Sequence, residues 1–119
     1  MKSICTMRDI YKAISSFEAE FEKAYQVSLN EAMVLCTLNE AKKPLTSSSI
    51  AERTEMKTSH ASKVIRSVEE KGLIERELGS TDKRQMFFSL TPIGKKRLED
   101  LGCEKVVIPE LLQPLFAKK

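Results

Sequence analysis

Lys63 and Arg66 stand three residues apart between Thr58 and Lys71, in the company of Ser59, His60 and Ser62. Lys83 and Arg84 stand side by side in a polar loop further on. Cations, hydroxyls and an imidazole on one short stretch donate hydrogen bonds to phosphate oxygens and base edges, which is recognition chemistry. Residues for bond-making chemistry are sparse by comparison. There is one histidine, and the three cysteines, Cys5, Cys36 and Cys103, are far apart and form no C-x-x-C pair. A structural zinc needs four closely organised ligands, so neither a metal nor a cofactor is expected. No Gly-rich phosphate loop and no paired nucleophile and base can be found, which leaves an enzyme the least supported class.

The charge distribution points the same way. The net charge is only +3, but residues 57–97 hold ten Lys and Arg against five Asp and Glu. The flanks, 1–56 and 98–119, are each weakly acidic. A basic centre between acidic ends is the electrostatic footprint of a phosphate-binding surface. At 119 residues, with 41% apolar and 31% charged residues, the composition is that of one soluble globular domain. No run approaches the roughly 18 apolar residues that a membrane span needs. Arg8, Asp9 and Lys12 interrupt the N-terminus where a signal peptide would be apolar, so a cytoplasmic protein with reduced thiols is expected.

These side chains require elements to position them. Residues 6–25 place Met7, Ile10, Ile14, Phe17, Phe21 and Ala24 on one stripe of a helix. That stripe packs into a core or against a second subunit. Ser28 and Glu31 form a capping box opening a helix over 29–41 that is apolar nearly all round. It is expected to be the central buried helix, with Cys36 as core filler. Thr46 caps a short helix over Ser47–Thr54. After a turn at Glu55–Lys57, a second helix runs from Thr58 to Lys71 and stops at Gly72. Its inward positions are Ala61, Val64, Ile65 and Val68, and Ser59, His60, Ser62, Lys63, Arg66 and Ser67 point outward. This is a helix-turn-helix pattern. Alternation in Leu73–Leu78 and again in Met86–Leu90, around the polar loop 79–85, predicts a β-hairpin. Thr91-Pro92 opens a last helix, and Pro109 and Pro114 break the apolar tail beyond it.

The stretch from Ile50-Ala51-Glu52-Arg53 through Val64–Arg76, then Asp82-Lys83-Arg84 and Leu90-Thr91-Pro92-Ile93-Gly94, resembles the MarR family of bacterial winged-helix regulators. The fold class implied is mainly α with a small β-hairpin, a winged helix-turn-helix with flanking dimerisation helices. One winged-helix domain would span 1–119, with an N-terminal helix (1–26), the core (28–97) and a C-terminal dimerisation segment (98–119). The resemblance implies that Ser59, His60, Ser62, Lys63 and Arg66 read the major groove of double-stranded DNA. Arg84 enters the minor groove, Lys83 meets phosphate and Asp82 shapes the wing by pairing with a basic side chain. Ser47 and Thr58, at helix starts, are further phosphate contacts. The expected function is a sequence-specific DNA-binding transcriptional regulator, a repressor, acting as a homodimer. Two features depart from the family pattern: Glu55 stands where the turn carries a glycine, and the chain is short for the family.

The competing function is a winged-helix protein-interaction module without DNA binding; retention of Lys63, Arg66, Lys83 and Arg84 argues against it. The resemblance also implies two kinds of sensing. Some members respond to peroxides through a cysteine in the first helix, and Cys5 lies near Arg8, yet no motif distinguishes it from an incidental thiol. Other members bind small aromatic effectors. Tyr11, Phe17, Phe21 and Tyr25 offer a lining, but aromatics at helical spacing serve equally as core, and an effector is left open.

Overall fold

A computed structural model describes residues 2–81, 84–101 and 106–116. The expectations for Asp82, Lys83 and Cys103 lie outside the described residues. The order of elements is α1 (Lys2–Tyr25), α2 (Leu29–Ala41), β1 (Leu45–Thr46), α3 (Ser47–Thr54), α4 (Thr58–Glu70), β2 (Ile74–Leu78), β3 (Met86–Leu90) and α5 (Pro92–Asp100). A 3₁₀ turn, Glu110–Leu112, then leads into the one-turn helix α6 (Gln113–Phe116). The chain divides into two compact units, one made of 1–29 with 102–119 and the other of Asn30–Leu101.

In the first unit α1 begins four residues earlier than its apolar stripe suggested. Phe17, Phe21 and Tyr25 are buried along it, with ring centroids 5.9 Å apart for Phe17 and Phe21 and 4.9 Å for Phe21 and Tyr25. The tail returns to this helix at Phe116, whose ring lies 6.1 Å from that of Phe17. The remainder of the stripe is not buried within the chain, so core packing holds for only part of it. Met7 is 62% and Ile14 43% exposed, and Ile4 and Tyr11 stand open beside them. The tail reaches α1 at its middle, and Ile4, Met7 and Tyr11 in the first three turns stay in solvent while Ile10 is half-buried.

The second unit is built on α2, α3 and α4. Val34, Leu35 and Leu38 from α2 are buried, as are Ile50 and Ala51 from α3 and Ala61, Val64, Ile65 and Val68 from α4. The four α4 positions are the ones that its periodicity marked as inward. The α2 expectation needs correction, because only one side of that helix is buried. Met33 and Cys36 are exposed, so Cys36 is not core filler. Partial burial and the neighbouring Glu40 carboxylate push its thiol above the ordinary range, the reverse of activation. Glu31, read from the sequence as half of a capping box, is 5% exposed. Its carboxylate accepts hydrogen bonds from Ser67 Oγ and, at 2.7 Å, from Lys71 Nζ. Ser67 is therefore not one of the outward residues of α4; its hydroxyl is held by α2.

The hairpin is part of a three-stranded antiparallel sheet of order β1-β3-β2. Its third member, Leu45–Thr46, was read from sequence as a lead-in to α3. It pairs Leu45 with Phe88 and Thr46 with Phe87. Two residues carry no period of their own, and only the partner strand makes them a strand. Thr46 then caps α3, its Oγ1 accepting from Ser49 N at 3.1 Å.

Two turns set the direction of α4. At its start Glu55 adopts a left-handed conformation, φ 61° and ψ 28°, with Met56 N donating to Ala51 O at 3.1 Å. The glycine-like geometry of the turn is thus kept with a glutamate in it. At its end Gly72 takes φ +75°, and Leu73 N donates to Val68 O at 3.2 Å, the Schellman closure that favours glycine. Thr91 caps α5 with Pro92 at the first helical position, its Oγ1 accepting from Gly94 N at 2.9 Å.

Two stability predictions follow from these turns. A Cβ on Gly94 would lie 1.8 Å from the Leu73 carbonyl oxygen, so Gly94→Ala should cost about 3 kcal/mol through forced backbone displacement, seen as a lower midpoint in urea unfolding. Left-handed geometry costs an L-residue roughly 1–2 kcal/mol, and glycine's extra chain entropy returns about half of that. Glu55→Gly should therefore raise the thermal midpoint by a few degrees, roughly what 0.5–1 kcal/mol produces in a domain of this size. An unchanged or lowered midpoint would show that the glutamate side chain offsets the strain.

Candidate nucleic-acid interface

The polar side of α4 stands free of the second unit's core. Thr58, Ser59, His60, Ser62, Lys63 and Arg66 are all exposed, and the helix buries Ala61, Val64, Ile65 and Val68 on its other side. Thr58 opens the helix, where unsatisfied N–H groups favour a phosphate oxygen. Ser47 opens α3 in the same way.

Ser47, Ser62 and Arg66, predicted separately, line one cleft of about 160 Å³ together with Ile65, Arg76 and Phe88. The Arg66 guanidinium and two hydroxyls over an apolar floor can take a single anionic group, such as a backbone phosphate. Arg84, in the turn between β2 and β3, is exposed. The structure thus groups three predicted residues in the cleft and leaves Thr58, Ser59, His60 and Lys63 on the open helix face.

Arg76 is the residue that sequence reasoning missed. It forms a two-pronged pair with Glu69, Nε to Oε2 and Nη2 to Oε1, both at 2.6 Å. Its guanidinium also lies over the Phe88 ring, 5.6 Å from the centroid, with Phe88 its direct partner in the β2–β3 register. Planar stacking and a fork-shaped pair are geometries that arginine satisfies and lysine does not. The hydrogen bonds from Arg76, aided by the charges of Arg76 and Arg66, hold the Glu69 carboxyl below the ordinary carboxylate range despite some desolvation. A signal was present in the alternation of β2, which puts Arg76 on the same face as Ile74, but Glu69 lies seven residues away on a helix.

A short helix, a tight turn and a second helix with a polar free face, followed by a three-stranded sheet, define a winged helix-turn-helix protein. The chain belongs to the MarR family, whose model matches residues 27–86. Solved structures of the same fold include the transcriptional regulator BldR from Sulfolobus solfataricus. It is 22% identical with a TM-score of 0.73, over 99% of this chain and 82% of that one. YusO from Bacillus subtilis is 24% identical with a TM-score of 0.69, covering 98% and 89%. S. aureus MepR, in a DNA complex, is 21% identical with a TM-score of 0.77, covering 100% and 84%. No curated protein sequence matches the chain. Among the described residues no helix is long and apolar enough to cross a membrane. Within the same residues, no group of three or more His, Cys, Asp and Glu is placed to hold a metal ion.

The Glu69–Arg76 pair makes a pH prediction. A carboxyl held below its ordinary value of 4.5 contributes stability above that value and loses it as the pH falls through the folded-state value. Glu69→Gln should therefore unfold at a lower temperature than the wild type at pH 7, and the two midpoints should converge below about pH 4.5. A gap that does not narrow as the pH falls below 4.5 would mean that the glutamine disturbs packing rather than the ion pair.

Proposed function

We propose that this chain is a double-stranded-DNA-binding transcriptional regulator, a repressor, that acts in the cytoplasm as a homodimer. The observation that carries the reading is the assembly on one unit of an exposed polar helix face and the Ser47, Ser62 and Arg66 cleft. The wing turn bearing Arg84 belongs to the same unit. In this reading α4 lies in the major groove with Ser59, His60, Ser62, Lys63 and Arg66 toward base edges and phosphates. Ser47 and Thr58 contact phosphate at their helix starts. The wing enters the minor groove through Arg84, with Asp82 shaping its loop and Lys83 on the backbone. S. aureus MepR, of the same fold, has been captured with DNA, which supports the reading.

The homodimer rests on exposed apolar surface. Ile4, Met7 and Tyr11 on α1 and Leu115 of the tail are each more than 60% exposed. A second copy of the chain is the occupant that family membership suggests for such surface. The function proposed is recognition, without catalysis.

Binding of the purified protein to the DNA upstream of its own gene, measured by fluorescence anisotropy across a salt series, tests the proposal. The wild type should lose affinity with a log–log slope of roughly −0.9 per phosphate neutralised. Arg84→Ala should bind about tenfold more weakly at fixed salt with an unchanged circular-dichroism spectrum. If genome-wide selection also finds no sequence preferred over random DNA, the interaction-module reading takes its place.

A further inference from the structure

Three lysines in the second unit are not among the residues assigned above to DNA contact. Lys42 and Lys43 follow the end of α2, and Lys95 lies in the first turn of α5. Together with Leu38, Asn39, Pro44, Ser89 and Leu90 they line a cavity of about 460 Å³. None of these lining residues is shared with the cleft beside α4.

The charge there calls for an explanation. No carboxylate lines the cavity, and among the described residues none of the three ammonium groups takes part in an ion pair. Cations at the end of α2 complement the negative pole of that helix, which accounts for Lys42 and Lys43. The same principle disfavours Lys95, a cation in the first turn of a helix that has no acidic residue there. A bound anion would remove that mismatch. Three cations exceed the needs of a single carboxylate and suit a doubly charged group, with the Asn39 amide and the Ser89 hydroxyl supplying neutral donors. Leu38, Leu90 and Pro44 offer an apolar wall on which a small organic body can lie.

We infer that this cavity at the root of the wing binds a phosphomonoester, its phosphate among Lys42, Lys43 and Lys95 and its organic part on the apolar wall. Pro44 leads directly into β1, which pairs with β3 and carries the Thr46 cap of α3. An occupant therefore touches the segment that joins the wing to the helix-turn-helix. The inference is independent of the proposed DNA binding, because its readout is the small ester alone.

The test is a nuclear magnetic resonance titration of the intact protein with phenyl phosphate at fixed ionic strength, with benzoate, inorganic phosphate and benzyl alcohol in parallel. Phenyl phosphate should shift the amides of Asn39, Ser89, Leu90 and Lys95 with saturation. Inorganic phosphate should bind the same residues more weakly, benzoate more weakly again, and benzyl alcohol not at all. Each Lys→Gln change should weaken phenyl phosphate by about tenfold, the loss expected for one charge-assisted hydrogen bond. Ser89→Asp, which brings a negative charge from a different element, should abolish binding while the spectrum elsewhere stays that of the folded protein. Shifts spread over all surface lysines, or equal responses to phenyl phosphate and benzoate, would overturn the inference. So would phenyl phosphate shifts at these residues that do not saturate.

Discussion

The backbone of Gly72 and Leu73 is the point through which the recognition helix and the wing are held to one another. Gly72 turns the chain out of α4 at φ +75°, and its carbonyl accepts from Thr91 Oγ1 at 2.8 Å. Leu73 O accepts from Thr91 N at 3.1 Å, and the same carbonyl sits where a side chain at Gly94 would be. Both roots of the hairpin, and the start of α5, thus meet at two successive peptide groups. That contact is possible only with glycine on one side and a threonine hydroxyl that both donates and accepts. Were this joint to open, the wing could not keep its register against α4, and the side chains of the interface would have no common frame.

The second tie is electrostatic. Glu31 is buried on α2, and a carboxylate in that position is costly unless its oxygens are occupied. Ser67 on α4 and Lys71, which caps its C-terminal end, occupy them. The last turns of the recognition helix are therefore fixed to α2 by directional bonds as well as by the packing of Val64 and Val68. On the opposite side of α4, Glu69 holds Arg76, tying the helix to β2. The helix is thus restrained on two sides, which fixes the direction in which its exposed polar side chains point.

Charge in this protein is therefore of two kinds. Glu31, Lys71, Glu69 and Arg76 are used within the fold, and their partners are visible. Lys63, Arg66 and the three lysines at the root of the wing face solvent, and no ion pair within the described residues uses them. The exposed apolar side chains of α1 and the tail pose the same question for a different kind of surface, one that water alone does not satisfy.

Local patterns in the sequence were sufficient for the helices of the second unit and for the hairpin. The inward positions of α4, the Thr46 and Thr91 caps, the stop at Gly72 and the alternation of β2 and β3 are determined by neighbours within one or two turns, so the residues alone disclose them. The same holds for Ser59, His60, Ser62, Lys63 and Arg66, whose shared polar face is a consequence of helical spacing. Contacts between distant segments were not legible. Nothing near Glu31 announces that its carboxylate meets Ser67 and Lys71, thirty-six and forty residues on. Nothing in Leu45-Thr46 announces a strand, because its pairing belongs to Phe87 and Phe88. Cys36 and Met33 read as core because composition cannot say which side of an apolar helix is left open. Arg76 and Lys95 gain their meaning only when Glu69, Phe88 and the end of α2 are brought beside them. The sequence determined which segments form and which faces are polar; tertiary structure decided which charges face one another, since that depends on distances no local pattern encodes.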